Sequence, residues 1–501
     1  MDVGAPHYRI QTQQLMKRFL QSIHTVDTAL ELNHPLSTRE AAGFLTAAGL
    51  VLAAAFLLQQ QLLLFILIVA VVGGLLAFQS PILWISAVVL GYAPILWQWG
   101  KEFTVVEAAH AVLFYGGLIW WLFHRIVIAR KQIRWSFGGL LFVAVFFQAI
   151  LLSPLSLARG AEPFILIREI TVLGSPLLFI PIAHECDTRF KQHMVGLSLI
   201  AASLLLALKN IYMYKQKVIS AVYFWQVGSS RAADTFYLVM VLTIIAAGLM
   251  IASSRVRTIL LSSALFIIGA AATILSFYRT IWVAALVAVF AMGMLLGRKF
   301  WKRTVAYGGV ALLLAGSGYF LFFQEAISLD VLANSVTSRF SSIKTYGSDI
   351  SLRNRQAETA ATLEAAGDSP IVGSGLATEI TYKNLITLTS VTTSWTHNGY
   401  AWLMYHFGVL GMLMMLGAYG AFIWLGLRVL RRLRARSGLS AQERFRRRTL
   451  AATGVGIIIA TMLVSLTINQ FHTRECALVL ALVWGFLERW DHDLQPAGSG
   501  A

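Results

Sequence analysis

Charged residues are scarce in this sequence. Only 13% of its 501 residues are Asp, Glu, Lys or Arg, whereas 57% are hydrophobic, and the mean hydropathy is +0.70. A soluble chain needs about a quarter of its residues charged to cover its surface. The composition therefore excludes a soluble globular protein and predicts that lipid covers much of the outside.

Cysteine is scarce as well, with only Cys186 and Cys476. Two cysteines exclude a disulfide framework and a cysteine metal site, and the topology predicted below puts them near opposite membrane faces. The first forty residues lack the apolar core and the small-residue cleavage site of an export signal, so we interpret them as a cytoplasmic tail.

Positive charge, in contrast, is abundant and unevenly placed. The chain has 40 Lys and Arg against 23 Asp and Glu, a net charge of +17, and nine arginines fall in the run RVLRRLRARSGLSAQERFRRR (428–448). Because this run lies between two apolar stretches, the positive-inside rule predicts a cytoplasmic loop. Nucleic-acid binding is the lesser alternative, and we expect no nucleic-acid partner.

Long apolar windows make up most of the chain. A bilayer core takes roughly 20 apolar residues per helix, and we count fourteen such windows, the first near Ala41 and the last near Arg474. The predicted fold class is all-α, a polytopic membrane protein with about 12–14 transmembrane helices and one large extracytoplasmic loop containing short helices. The predicted order is a cytoplasmic tail (1–40), transmembrane helices 1–11 (41–323), the loop (324–398), helices 12–14 (399–489) and a second cytoplasmic tail (490–501).

Basic clusters set the orientation of this topology. Counted from an inside N-terminus, every second connection carries clustered Lys or Arg, apart from the short turn near Gln79. Two opposite connections are long. The aromatic-rich connection 209–234 is predicted to be an interfacial amphipathic stretch. In the connection 324–398, the string LRNRQAETAATLEAA (352–366) predicts a helix, and the following DSPIVGSG (368–375) predicts a turn that ends it.

Two arginines lie near the predicted outer face, each beside the start of a hydrophobic helix. Arg279 stands in LSFYRTIWVAAL and Arg231 in VGSSRAADTFYLVM. A guanidinium at this depth can simply snorkel or anchor its helix. Its planar fork, however, also binds phosphate oxygens in pairs. If the two arginines converge, they form a site for a diphosphate.

His397 and Asn398 directly precede a long apolar helix, in TTSWTHNGYAWLMYHFGVLG. A lone histidine at a helix start is more often a cap or a water-facing residue than a catalyst. Imidazole can nevertheless accept a proton at neutral pH, and Asn398 could orient the ring or a sugar hydroxyl. The pair is our candidate for the acceptor side of a reaction.

Other polar groups carry weaker signals. Arg168 and Glu169, in PFILIREITVLG, are taken first as a structural ion pair, with Arg168 in reserve as a phosphate ligand. The acidic residues of the long loop form no closely spaced pair, so we expect no metal ion. Cationic side chains would then have to stabilise the negative charge that a metal ion stabilises in other transferases. A last polar cluster either lines the same cavity or caps two helices; it comprises Asn469, Gln470, His472, Arg474 and Glu475.

Three strings follow one another along the chain: SFYRTIWVA, SLRNRQAETAATLEAAGDSPIVGSG and THNGYAWLMYHFGVLG. Their order and spacing resemble those of the O-antigen ligase superfamily, which includes the Wzy-type polysaccharide polymerases. The N-terminal half is similar only in its hydrophobic character. The resemblance implies a membrane glycosyltransferase of the GT-C type in the bacterial inner membrane, with its active site facing the periplasm. It implies diphosphate binding by Arg231 and Arg279 and a place near the acceptor for His397.

The resemblance also implies the partners. The donor is an undecaprenyl-diphosphate-linked glycan bound with membrane lipid, and no metal or other cofactor is expected. The acceptor stays open: lipid A core defines a ligase, and another carrier-linked glycan defines an O-antigen or exopolysaccharide polymerase, which the extra helices slightly favour. A protein hydroxyl is a third acceptor. The alternative from another class is a transporter or flippase of a lipid-linked sugar, although we see no duplicated halves of the kind common in transporters.

Overall fold

The computed structural model describes residues 72–73, 79–97, 104–220, 235–309, 337, 350–436 and 438–495. The predicted N-terminal tail, the first predicted helix, most of the second and Arg231 lie outside these residues. So does most of 310–349, which contains the first part of the predicted large loop.

Helices dominate the described residues, and one β-hairpin joins them. The two hairpin strands, β1 (Ile380–Lys383) and β2 (Ser390–Thr393), pair antiparallel with Ile380 opposite Thr393. The helices are α1 Pro81–Trp97, α2 Val105–Phe123, α3 Phe137–Ala158, α4 Pro163–Gly174, α5 Phe179–Glu185, α6 Arg189–Ser220, α7 Phe236–Ala252, α8 Val256–Leu275, α9 Arg279–Leu296, α10 Ile350–Ala366, α11 Gly399–Ala435, α12 Ala441–Val464 and α13 Arg474–Leu494.

Many of these helices are long and apolar enough to cross a bilayer. Eight segments of the described chain meet that condition, and two shorter apolar helices, α1 and α7, accompany them. The protein is therefore an all-α multi-pass membrane protein, as its composition predicts. The eight segments are Val105–Ile128, Phe137–Ala158, Pro163–Glu185, Arg189–Gln216, Val256–Leu275, Arg279–Leu296, Gly399–Ala435 and Ala441–Val464.

An aromatic cluster around Trp484 packs the centre of the bundle. The indole of Trp484, on α13, is fully buried and stacks on Phe422 of α11, with ring centroids 4.4 Å apart. Phe142 of α3 and Phe179 at the start of α5 meet the same indole edge-on at 5.2 and 6.2 Å. This packing fixes α11 and α13, which bracket the site described below, against α3 and α5.

The basic connections gather at one end of the bundle. Arg189 forms an ion pair with Glu443 at 3.1 Å, which joins the connection before α6 to the arginine-rich segment 428–448. From that segment, Arg434 donates a hydrogen bond to the carbonyl of Leu295 at the end of α9, at 3.0 Å. The predicted alternation of basic and non-basic connections across the membrane stays a prediction.

Two boundaries differ from the predicted ones. The aromatic-rich stretch predicted at 209–234 begins as helix, since α6 continues to Ser220, and Lys209 donates to the carbonyl of Trp97 at 2.6 Å. At the other end, α13 runs to Leu494, past the predicted boundary at residue 489. The hydrophobic windows locate the helices, but polar residues that continue a helix beyond lipid do not mark its end.

Thiol labelling in intact cells tests the orientation. Thr387, exposed in the hairpin, and Gly438, exposed in the arginine-rich segment, lie in connections predicted on opposite sides. After Thr387→Cys, an impermeant maleimide should label the protein, whereas after Gly438→Cys it should not. The native thiols of Cys186 and Cys476 are both buried and provide the unlabelled background. If only the Gly438→Cys variant were labelled, the predicted orientation would be wrong and the opposite one would hold.

Candidate functional site

His397 is held by a carboxylate that lies 39 positions earlier in the chain. Its Nδ1 lies 2.7 Å from Oε2 of Glu358 on α10, and its backbone N–H donates to the same oxygen at 3.3 Å. Glu358 is 2% exposed, whereas the side chain of His397 is 30% exposed. The carboxylate is therefore buried behind the ring, and the ring faces outward.

This geometry defines the tautomer of His397. A carboxylate only accepts hydrogen bonds, so Nδ1 carries the proton that it donates to Glu358. In the neutral ring, Nε2 is then the nitrogen without a proton, and it can accept a hydrogen bond. Trp395, whose ring meets the imidazole edge-on at 4.7 Å, limits its rotation.

Asn398 has a structural task in this arrangement. Its side-chain oxygen accepts hydrogen bonds from the backbone N–H groups of Tyr400 and Ala401, at 3.0 and 3.2 Å, and so caps the start of α11. The predicted roles of Asn398 in orienting His397 or a sugar hydroxyl stay predictions. In the structure, Glu358 is the group that orients the ring.

Arg279 stands at the start of α9, after a sharp turn. Phe277 in that turn is buried and has a φ of 55°, a left-handed conformation that is strained for a bulky residue. As the first residue of α9, Arg279 adds its charge to the positive end of the helix dipole. This end of α9 is suited to an anion.

Two hydrogen bonds connect the start of α9 to the helix that carries Glu358. Thr467, in the turn before α13, donates from its hydroxyl to that of Thr280 at 2.7 Å. The carbonyl of Thr467 accepts from Nη1 of Arg355, on α10, at 3.1 Å. The structure thus brings the Arg279 end of α9 and the His397 side of the loop to one region, although Arg279 and His397 are 118 positions apart in the sequence.

The loop after α10 completes an interruption in α11. Gly408 has non-helical angles (φ 64°, ψ −172°), about 13 Å along the helix from its start. The freed N–H groups of Val409 and Leu410 donate to the carbonyls of Pro370 and Ile371, at 2.8 and 3.1 Å. In return, the N–H groups of residues 374 and 375 donate to the carbonyls of residues 405 and 406, at 2.8 and 3.0 Å.

Glycine is required on both sides of this contact. A Cβ on Gly408 would lie 2.3 Å from the carbonyl of Ile371, and one on Gly373 would lie 2.4 Å from the carbonyl of His406. Gly373 also has a φ of +83°. The PIVGSG string forms the predicted turn, and its Gly373 allows the close approach of two backbones.

Two buried titratable side chains clasp the same part of the loop. Glu169, on α4, accepts from the N–H of Ala377 at 2.7 Å and from the hydroxyl of Ser394 at 3.1 Å. His406, on α11, places its two ring nitrogens 2.7 and 3.0 Å from the carbonyls of Gly375 and Ser394. Because Ser394 precedes His397 by three residues, this clasp fixes the loop close to the candidate base.

Arg168 contacts a carboxylate on another helix. Its Nε lies 3.7 Å from Oε2 of Glu107 on α2, and the other carboxylate oxygen pairs with Arg474. A small cavity at this cluster has room for about two water molecules. Its lining residues are Tyr92, Ile95, Glu107, His110, Arg168, Thr171, Val172, Ser175 and Arg474.

His472 from the predicted polar cluster adds no charge to the site at neutral pH. Burial lowers the pKa of His472 to about 4, the ring stacks on Trp402 at 4.6 Å, and Nε2 contacts the carbonyl of Glu169 at 2.9 Å. A neutral ring facing a carbonyl is a donor, so His472 ties the turn before α13 to α4. It belongs to the support of the loop.

Sequence reasoning missed Glu358, Arg355 and Glu107 as partners of the candidate residues. Glu358 was one of several acidic residues in the predicted loop, and no spacing signal joins it to His397. Its position on a helix of good formers did carry information, because one helical face collects every third or fourth residue. Arg355 and Glu358 share such a face.

Comparison with known families covers the part of the chain that builds this site. Residues 264–416 match the family described as O-antigen ligase. No curated protein matches the chain. The matched residues run from α8 through Arg279, α10, the hairpin and His397 into α11, so the resemblance predicted from the three strings is confirmed there. The matched residues are thus similar to the O-antigen ligase family, and they lie within a multi-pass membrane protein.

The glycine interruption of α11 can be tested by stability. Gly408→Ala places a methyl group against the carbonyl of Ile371 and strains the left-handed backbone. We expect it to destabilise the protein by about 2 kcal/mol or more, visible as a lower melting temperature in detergent. Gly420→Ala, on the same helix, is the matched control because a Cβ there meets nothing within 4 Å. Equal melting temperatures for both variants would contradict the close backbone contact.

Proposed function

We propose that the protein transfers an undecaprenyl-diphosphate-linked glycan onto the hydroxyl of an acceptor sugar, at the periplasmic face of the bacterial inner membrane and without a metal ion. The O-antigen ligase match across residues 264–416 supports the reaction class. The bond between His397 and the buried Glu358 is the observation that carries the assignment, because it prepares an imidazole nitrogen to accept a proton.

In the proposed mechanism, Nε2 of His397 takes the proton of the acceptor hydroxyl. The hydroxyl oxygen then forms a bond to the anomeric carbon, the bond from that carbon to the diphosphate oxygen breaks, and the diphosphate leaves with the electron pair. Attack from the side opposite the leaving group inverts the configuration at the anomeric carbon. The activated donor supplies the energy.

Cations take the part that a metal plays in other transferases. Arg279, with the start of α9, would neutralise the charge that develops on the leaving diphosphate. Arg231 is proposed as its partner from the resemblance. Arg168 stays a reserve ligand whose contact with Glu107 holds it at a separate cavity. Among the described residues there is no group of three His, Cys, Asp or Glu side chains arranged to hold a metal ion.

The acceptor remains a choice between lipid A core and a second carrier-linked glycan, which would make the protein a ligase or an O-antigen or exopolysaccharide polymerase. The lining of the described site is compatible with either, since both acceptors present a sugar hydroxyl to His397. Transfer assays with each acceptor distinguish them.

The interrupted helix α11 does not favour a transporter. Transporters often use broken helices whose freed backbone groups bind the substrate or an ion. Here the N–H groups of Val409 and Leu410 are instead bonded to the carbonyls of Pro370 and Ile371. The interruption therefore anchors a loop and offers those backbone groups to no ligand.

Substitutions at the base test the mechanism. His397→Ala should lower the turnover number by about two to four orders of magnitude, the usual contribution of a positioned base. Glu358→Gln should lower it by about tenfold or more, because it removes the charge that stabilises imidazolium. Glycan transfer in proteoliposomes with matched protein amounts gives the measurement.

The control for Glu358 is Glu364→Gln, an exposed carboxylate on the same helix. It should transfer glycan at the wild-type rate. Binding of the donor should change little in His397→Ala, because the arginines still hold the diphosphate. Wild-type turnover in His397→Ala would return this histidine to the role of a residue at a helix start.

Arg279 can be separated from a snorkelling residue by a conservative change. Lysine keeps the positive charge but lacks the planar fork, so Arg279→Lys should lose nearly as much transfer activity as Arg279→Ala if the residue grips phosphate oxygens in pairs. The same proteoliposome assay measures both variants, and melting temperatures show that both fold. Full activity in Arg279→Lys would remove the bidentate contact from the mechanism.

A further inference from the structure

We propose that Arg355, on the loop helix α10, is an additional ligand of the leaving diphosphate. This inference rests on the proposed function and adds a third arginine to the two predicted ones, Arg231 and Arg279. It is carried by the position of Arg355 between the candidate base and the start of α9.

The helix α10 presents Arg355 and Glu358 on one face. Residues three positions apart on a helix are neighbours, with Cβ atoms about 5–6 Å apart. Glu358 holds His397 from this face. The guanidinium of Arg355 therefore starts one helical turn from the carboxylate that orients the base.

In the other direction, Arg355 reaches towards Arg279. Its Nη1 donates to the carbonyl of Thr467 at 3.1 Å, and the hydroxyl of Thr467 donates to that of Thr280 at 2.7 Å. The path from Nη1 of Arg355 to the hydroxyl of Thr280 consists of these two hydrogen bonds and the atoms of Thr467 between them. Nη1 and the Thr280 hydroxyl therefore lie within about 10 Å of each other. Thr280 directly follows Arg279.

This placement suits an inverting transfer. The attacking hydroxyl and the leaving oxygen must lie on opposite sides of one anomeric carbon, only a few ångströms apart. Three helical residues separate Arg355 from Glu358 by about 4.5 Å along the axis. One face of α10 can thus support the base at one position and a phosphate ligand at the other.

The chemistry of arginine fits the ligand. A guanidinium has five N–H donors in a rigid fork, so a bond to one carbonyl that fixes its position is compatible with a paired grip on phosphate oxygens. A diphosphate spreads more than one negative charge over two groups, and a second cation facing Arg279 would contact oxygens that Arg279 cannot reach. The alternative role of Arg355 is that of a strut between α10 and the turn at Thr467.

Binding of undecaprenyl diphosphate, dispersed in detergent with the full-length protein, separates the two roles. This lipid carries no glycan and cannot turn over, so the dissociation constant reports binding alone. Arg355→Ala should weaken binding by about tenfold or more, the scale of one charge-assisted contact, and should affect undecaprenyl monophosphate less. Arg355→Lys should fall between Arg355→Ala and the wild type, because it keeps the charge without the fork.

Arg353→Ala is the matched control, since Arg353 is exposed on the same helix; it should bind as the wild type does. Unchanged affinity in Arg355→Ala, or an equal loss in Arg353→Ala, would overturn the inference. If Arg355→Ala does not fold, Arg355→Lys decides: wild-type affinity makes the residue a strut, and weakened diphosphate binding at an unchanged melting temperature supports the proposal.

Arg279→Ala in the same assay distinguishes this inference from the proposed function. Weakened binding in Arg279→Ala together with normal binding in Arg355→Ala would overturn the role of Arg355 alone. Normal binding in both variants, or no binding by the wild-type protein, would overturn the proposed donor and the role of Arg355 together.

Discussion

The backbone pairing between the loop and the interrupted helix α11 is the contact on which the rest of the site depends. An unpaired backbone group costs several kcal/mol where no water can reach it. At Gly408 the N–H groups of Val409 and Leu410 lose their helical partners, and only the carbonyls of Pro370 and Ile371 replace them. The helix and the loop therefore complete each other's backbone hydrogen bonds.

This mutual completion explains where the polar side chains of the bundle are used. Glu169 and His406 come from two different helices, yet both contact Ser394, and each also contacts a residue between Gly375 and Ala377. A buried polar group is costly unless it is fully bonded. The bonds of Glu169 to the Ala377 N–H and the Ser394 hydroxyl, and the contacts of His406 with two loop carbonyls, hold the segment before His397 against the membrane helices.

Sequence patterns predicted the parts of this architecture that depend on local composition. The helix expected at 352–366 is present as Ile350–Ala366, and the PIVGSG turn follows it. Both features follow from helix propensity and from proline and glycine, which are visible in a short window.

The contacts that make the site functional were beyond such windows. The string HFGVLG lies within the predicted long apolar helix, and nothing in it marks an interruption. The interruption is not visible locally because the left-handed angle of Gly408 depends on its contact with the loop at Ile371. The pairing of Glu358 with His397 depends on how α10 docks, and the turning of Arg168 towards Glu107 depends on the packing of α4 beside α2. Neither docking arrangement leaves a periodic signal in the chain.

The same docking divides the proposed reaction between two kinds of element. Arg279 belongs to a helix packed in the bundle, whereas His397 belongs to a loop that is fixed by Glu358 from α10 and by the clasp at Ser394. A donor with a lipid chain must be held at a constant depth, which a membrane helix provides. An acceptor that varies between members of a family is better met by a loop, whose sequence can change without disturbing the bundle. The backbone pairing at Gly408 fixes this loop to α11, and in the proposed reaction a loop fixed in this way would keep the base aligned with the leaving diphosphate.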